Sequence, residues 1–95
     1  MMRRQGYVPT TEASRYLQRL CYHFTRKIRV DYDEQRGEAH FPWGLCVLRA
    51  DSAALHFDCS ADDDACLARV QFAIDSHVEL FSRKSPVAVC WQSVE

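Results

Sequence analysis

Two histidines have the type and placement to do chemistry. His77 lies in the stretch Asp75-Ser-His-Val-Glu-Leu-Phe-Ser-Arg-Lys84. In a helix it falls about 60° from the mean apolar direction, at the edge of the stripe that should be buried. His23 occupies a similar edge of an earlier helix, seven residues after Tyr16. Histidines at the edges of two neighbouring helices can converge in a groove. There they can bind an anion, a metal or another ligand, and can titrate near neutral pH. The plainer role is structural: each imidazole finds a carbonyl or carboxylate and fixes helix packing.

Other chemistries are less well supported. Cys66 shares a stripe with His77 and would extend a metal set, but the close spacings of a four-ligand zinc site are absent, so no metal is expected. The chain has no GxSxG, P-loop, GxGxxG or HExxH pattern. The acidic run Asp62-Asp63-Asp64 reads as the start of a helix, where negative charge suits the dipole. Arg15, Arg19 and Arg26 make a basic stripe beside Tyr22. The strand alternation, however, gathers Glu38, His40, His56 and Asp58 into a mixed polar patch, unlike an aromatic, basic RNA-binding sheet. With a pI near 6.4, nucleic acid is not an expected partner.

Periodicity supplies the elements that must position these groups. After Pro9-Thr10-Thr11-Glu12, where a threonine can cap, Ala13, Tyr16, Leu17, Leu20, Cys21 and Phe24 recur on one helical face. Residues 1–9 are expected as a loosely ordered or extended segment. Residues 28–32 alternate as a strand with Ile28, Val30 and Tyr32 inward. Short strands follow over 38–41, 45–49 and 54–59, the last with Leu55, Phe57 and Cys59 on one face. Ser60 can cap a second helix carrying Leu67, Val70, Ile74, Val78 and Phe81. Arg83 and Lys84 suit its end and Ser85-Pro86 stops it. Residues 87–92 form a last strand. The fold class is α+β: two helices on one face of a mainly antiparallel sheet, in the order α-β-β-β-β-α-β.

Composition agrees with a single domain of 95 residues that is 47% hydrophobic. No run approaches the roughly 18 apolar residues of a membrane span, and no apolar run follows the basic start, so a secretory signal is not expected. Five cysteines without a CxxC pair fit reduced packing residues in the cytoplasm. Residues 1–36 carry eight Lys/Arg against four Asp/Glu, whereas the remainder carry four against nine. A basic first half can face an acidic partner or simply be solvated.

Leu20-Cys-Tyr-His-Phe-Thr-Arg-Lys27, the Gly37…Phe41-Pro-Trp-Gly-Leu-Cys46 hairpin, Asp75–Phe81 and the closing Val87…Trp91 strand together resemble the bacterial domain of unknown function 2218, along nearly the whole chain. The resemblance implies no defined activity. Some relatives are joined to flavin-dependent siderophore-interacting proteins, which implies an accessory role near iron by association alone. Many relatives carry a histidine where this chain has Arg26, so a family metal site would lose a ligand here. Lys84 also replaces an acidic residue.

The expectation is therefore a non-enzymatic binding or accessory domain acting on a small ligand or a protein partner, with no cofactor. A homodimer is left open. The candidate groove has His23 and His77 as polar groups and Tyr16, Trp43 and Trp91 as aromatic wall. A small enzyme using His77, with His23, as general acid or base is the alternative, and a purely structural or protein-interaction module is a third.

Overall fold

The computed structural model describes residues 2–82 and 87–93. Strand β1 (Met2–Pro9) precedes helix α1 (Ala13–Phe24). Strands β2 (Arg29–Tyr32), β3 (Arg36–Phe41), β4 (Gly44–Ala50) and β5 (Ala54–Ala61) follow as an antiparallel meander. Helix α2 (Asp64–Phe81) then leads to β6 (Cys90–Ser93). The six strands form one antiparallel sheet in the order β2-β3-β4-β5-β1-β6, with both helices on one face.

The α+β class holds, and the expected order is preserved from α1 onward. What the sequence reading lacked is β1. Residues 2–9 form a strand paired with β5 from Met2↔Ala61 to Pro9↔Ala54. That strand brings β6 into the sheet on its other side, through Arg4↔Ser93 to Tyr7↔Cys90.

Each helix follows its apolar spacing. In α1, Ala13, Leu17, Leu20, Cys21 and Phe24 are buried; in α2, Leu67, Val70, Ile74 and Val78 are. They pack on the inward residues of the sheet, chiefly Val8, Ala39, Cys46, Leu48, Leu55, Phe57 and Cys59. Gly6 leaves room on this face: a Cβ there would lie 2.6 Å from the Trp91 ring. Trp91 therefore lies over β1 with its ring centroid 6.1 Å from that of Phe57.

The expected caps of the two helices change. Ser60 does not cap α2, because β5 runs through Ala61 and stays paired with β1. Asp63 takes that role, its Oδ1 accepting from the Cys66 amide at 2.8 Å. At α1, Thr10 Oγ1 accepts from the amide of Glu12, the N-cap residue, and Glu12 itself makes no side-chain cap. Tyr32 does stand on the inward face, opposite Gly37, but on the edge strand β2 it stays 39% exposed. The expected helix stop at Arg83, Lys84 and Ser85-Pro86 lies outside the described residues.

Candidate functional site

His23 stands in the last turn of α1, and His77 one position before the buried Val78 of α2. Their ring centroids lie 4.7 Å apart at an interplanar angle of 55°. Phe24 packs edge-on against His77 at 4.8 Å, and Phe81 edge-on against His23 at 5.7 Å. The two helix edges thus meet as a cluster of rings.

A groove of about 330 Å³ opens beside this cluster. Phe24, Phe41, Pro42 and Trp43 give it apolar and aromatic walls, and His23, His77 and Lys27 are its polar members. The β3–β4 hairpin supplies one wall because its turn is only two residues, Pro42-Trp43, with Phe41 paired to Gly44. Trp43 is held by two neighbours. Its ring stacks with Phe41 at 5.9 Å and 16°, and the Arg69 guanidinium carbon lies 4.6 Å from its centroid. An aromatic wall fixed in this way loses little freedom when a ligand arrives.

The protonation pattern of His77 follows from its one hydrogen bond. Nδ1 lies 2.6 Å from the carbonyl oxygen of Ala73, one helical turn back. A carbonyl only accepts, so Nδ1 carries the proton and donates it. In the neutral ring, Nε2 then keeps its lone pair for another partner. His23 is pushed below the ordinary histidine value, first by desolvation and then by the charges of His77, Arg26 and Lys27. Among the described residues the groove lining contains no carboxylate, and Lys27 biases it toward a negatively charged guest.

Of the five residues named from sequence, His23, His77 and Trp43 line this groove. Tyr16 and Trp91 do not. Tyr16 packs against the core along α1. Trp91 is on β6, at the sheet edge remote from the β3–β4 hairpin, where its Nε1 donates to Asp75 Oδ1 at 2.9 Å. Cys66 is half-buried at the start of α2, beside Asp63. Among the described residues, no group of three or more His, Cys, Asp or Glu side chains is placed to hold a metal ion.

Sequence reasoning missed Phe24, Lys27, Phe41 and Ala73 as groove residues. Part of the signal was available. Arg69, Ala73 and His77 stand at i, i+4 and i+8 on α2, which stacks a cation, a small residue and an imidazole along one edge.

The polar patch expected on the other side of the sheet is present and linked by two ion pairs and a histidine–carboxylate hydrogen bond. Glu38 meets Arg36 at 3.1 Å, Asp58 meets Arg3 at 2.7 Å, and His56 meets Asp51 at 2.7 Å. Of the expected basic stripe, Arg15 pairs with Glu12 and Arg19 lies over Phe81, while Arg26, just past the end of α1, lies over Tyr22. None of the described helices is long and apolar enough to cross a membrane.

A model for a family described as an uncharacterised protein conserved in bacteria matches residues 5–92. No functionally curated protein matches the chain. Among solved structures, the NMR structure of PA4090 from Pseudomonas aeruginosa is similar, with 28% sequence identity and a TM-score of 0.82. That similarity covers 100% of this chain and 99% of the other.

Proposed function

The chain belongs to this uncharacterised bacterial family, DUF2218, and from that premise we propose that it is a binding domain for a small ligand with an apolar, aromatic body and an anionic group. The observation that carries the reading is the juxtaposition of His23 and His77, 4.7 Å apart, in a groove walled by Phe41 and Trp43 and lacking acidic lining. The apolar walls take the body of the ligand. Lys27 supplies the standing positive charge for its anionic end, and His77 Nε2, an acceptor in the neutral ring, donates to that end only when the ring takes a proton. A groove that binds this way needs no bond-making step, and the family likeness brings none with it.

A second reading rests on the fixed tautomer of His77. An imidazole whose Nδ1 proton is tied to a carbonyl presents Nε2 as a base, as acid–base catalysis requires. It becomes the preferred reading only if a bound compound is chemically altered.

The test is a titration of the whole protein by amide NMR. The probes are benzoate, indole-3-acetate and 2,3-dihydroxybenzoate, with benzamide as the neutral control and a ferric catecholate siderophore as the iron-related arm. Saturable shifts at residues 23–28, 41–43, 73 and 77 are expected, with the carboxylates binding more tightly than benzamide. His77→Phe keeps the ring packing and should weaken carboxylate binding by about tenfold at acidic pH, where a protonated ring would donate one charge-assisted hydrogen bond, and by less at alkaline pH. If no probe perturbs the groove while the protein remains folded, the proposal is wrong.

A further inference from the structure

The sheet face turned away from the helices carries an arrangement that the groove does not use. Register places Arg36 directly opposite Arg49, Arg49 opposite His56, and His56 opposite Tyr7. Because side chains alternate along a strand, these residues stand in one row on the open face. Like charges directly opposite one another weaken a strand pair, so the Arg36–Arg49 opposition is unfavourable for the sheet alone.

The neighbouring row runs Glu38, Val47, Asp58 and Gln5. Val47 is short among long polar neighbours and forms part of a hollow of about 260 Å³. Gln5, Arg36, Arg49, His56 and Asp58 also line it. The carboxylates around this hollow already have partners. Glu38 is bound by Arg36, Asp58 by Arg3 and Gln5, and Asp51 by His56. Among the described residues, Arg49 has no carboxylate at ion-pair distance.

We infer that the hollow on the open sheet face is an oxyanion site centred on Arg49, which takes one carboxylate or phosphate group of a small molecule. The guanidinium presents a planar fork of donors that matches such a group at two points. Arg36 and His56 flank it in the same row, and an anion between the two arginines turns their opposition into a bridge. One positive charge stands unbalanced in the row, which suits a singly charged group better than a dianion. This site lies on the opposite side of the sheet from the groove, so either can fail without the other.

The experiment is a titration of the whole protein by NMR, including the arginine side-chain Nε–H signals, with acetate and separately with inorganic phosphate. Ionic strength is held constant with chloride. Saturable shifts at Gln5, Arg36, Val47, Arg49 and His56 are expected from at least one of the two. Saturation by acetate alone identifies a carboxylate, and saturation by phosphate alone a phosphate. Arg49→Gln should weaken binding by about tenfold or more. In anion-free buffer the same variant should melt no lower than the parent, because the opposed charges are gone. Glu38→Gln frees Arg36 and should tighten binding. Linear shifts that chloride reproduces at equal ionic strength, or equal binding by Arg49→Gln, would overturn the assignment.

Discussion

His23 and His77 place their ring centroids 4.7 Å apart although they belong to different helices, and Phe24 closes against His77 at 4.8 Å. At that separation two imidazolium charges repel, and the aromatic neighbours replace water that would screen them. Their closeness is one of the causes, after desolvation, that push the His23 pKa down.

The first prediction concerns pH. Desolvation, followed by the charges of His77, Arg26 and Lys27, lowers the folded-state pKa of His23 from 6.5. The unfolded chain therefore takes up a proton near pH 6.5 that the folded chain resists. Binding more protons when unfolded means losing stability as pH falls through that region. Urea midpoints at pH 7.5, 6.5 and 5.5 should decline for the parent. They should decline less for His23→Gln, which does not titrate. Identical slopes for the two proteins would contradict the shift.

A second prediction concerns the fastening of β6. Trp91 Nε1 donates to Asp75 Oδ1 at 2.9 Å, so the last strand is tied to α2 as well as to β1. Burial raises the Asp75 pKa from 3.8, and the Trp91 hydrogen bond only partly opposes it. A carboxyl group with a raised folded pKa loses stability as pH rises through its titration, because the folded state must give up a proton it prefers to hold. Asp75→Asn keeps an acceptor oxygen without the charge. Its thermal midpoint at pH 7 should equal or exceed that of the parent, whereas Trp91→Phe should cost about 1 kcal/mol, the net worth of one hydrogen bond. Chemical denaturation of both variants at pH 7 and pH 4 checks the two signs.

Much of this architecture was legible because apolar residues repeat. Leu17, Leu20, Cys21 and Phe24 mark one helix, and Leu67, Val70, Ile74 and Val78 the other. Both histidines stand at the margins of those stripes, so their meeting followed from two helices sharing one face. Strand β1 escaped notice because its inward positions include Arg4 and Gly6. Gly6 is vacant for the Trp91 ring, and Arg4 reaches Gln71 of α2. Neither residue looks like core in a linear reading. The alternation Leu55, Phe57, Cys59, Ala61 contains the true end of β5, but a serine at position 60 followed closely by three aspartates has the local pattern of a helix cap. Trp91 was assigned to the groove because strand order is a long-range property. Once β6 adds to the edge of β1, it lies four strands from β3. The Arg36–Arg49 opposition was hidden for the same reason, since only the register creates it.

Thiol chemistry gives a third prediction. All five cysteines are free. Cys21, Cys46 and Cys59 are buried, and burial pushes the Cys21 thiol up to about 12. Cys46 is likewise pushed far upward by burial and by Cys59, whose sulfur is 3.5 Å away. Thiolates are the reactive form, so these groups should be inert in the native state. Cys90 is exposed on the edge strand β6. A thiol reagent at pH 8 should modify Cys90 first, with half-buried Cys66 slower because its hydrogen bond to Asp63 and burial raise its pKa. The three core cysteines should react only on unfolding. Peptide mapping after a short exposure reads the order directly, and early labelling of Cys46 or Cys59 would contradict the packing described.

The last prediction tests how the groove wall is held. Gly44 follows Trp43 at the tip of the β3–β4 hairpin. A Cβ there would collide with the backbone carbonyl of Ser60, and would also lie 3.0 Å from the Ala61 Cβ and 3.2 Å from Val70. The first contact is with backbone in a paired strand, so it cannot be relieved by a change of rotamer. Gly44→Ala must push the hairpin away from β5 and α2. The expected cost is about 1–3 kcal/mol in urea denaturation, the usual range for overpacking. The displacement should also carry Trp43 off Arg69 and Phe41, raising indole fluorescence sensitivity to quencher and weakening any groove ligand more than Arg49→Gln does. Val70→Ala enlarges the same space from the side of α2 but leaves the Ser60 carbonyl in place. It should therefore rescue Gly44→Ala only slightly, and full rescue would mean that side-chain packing, rather than the paired backbone, holds the wall.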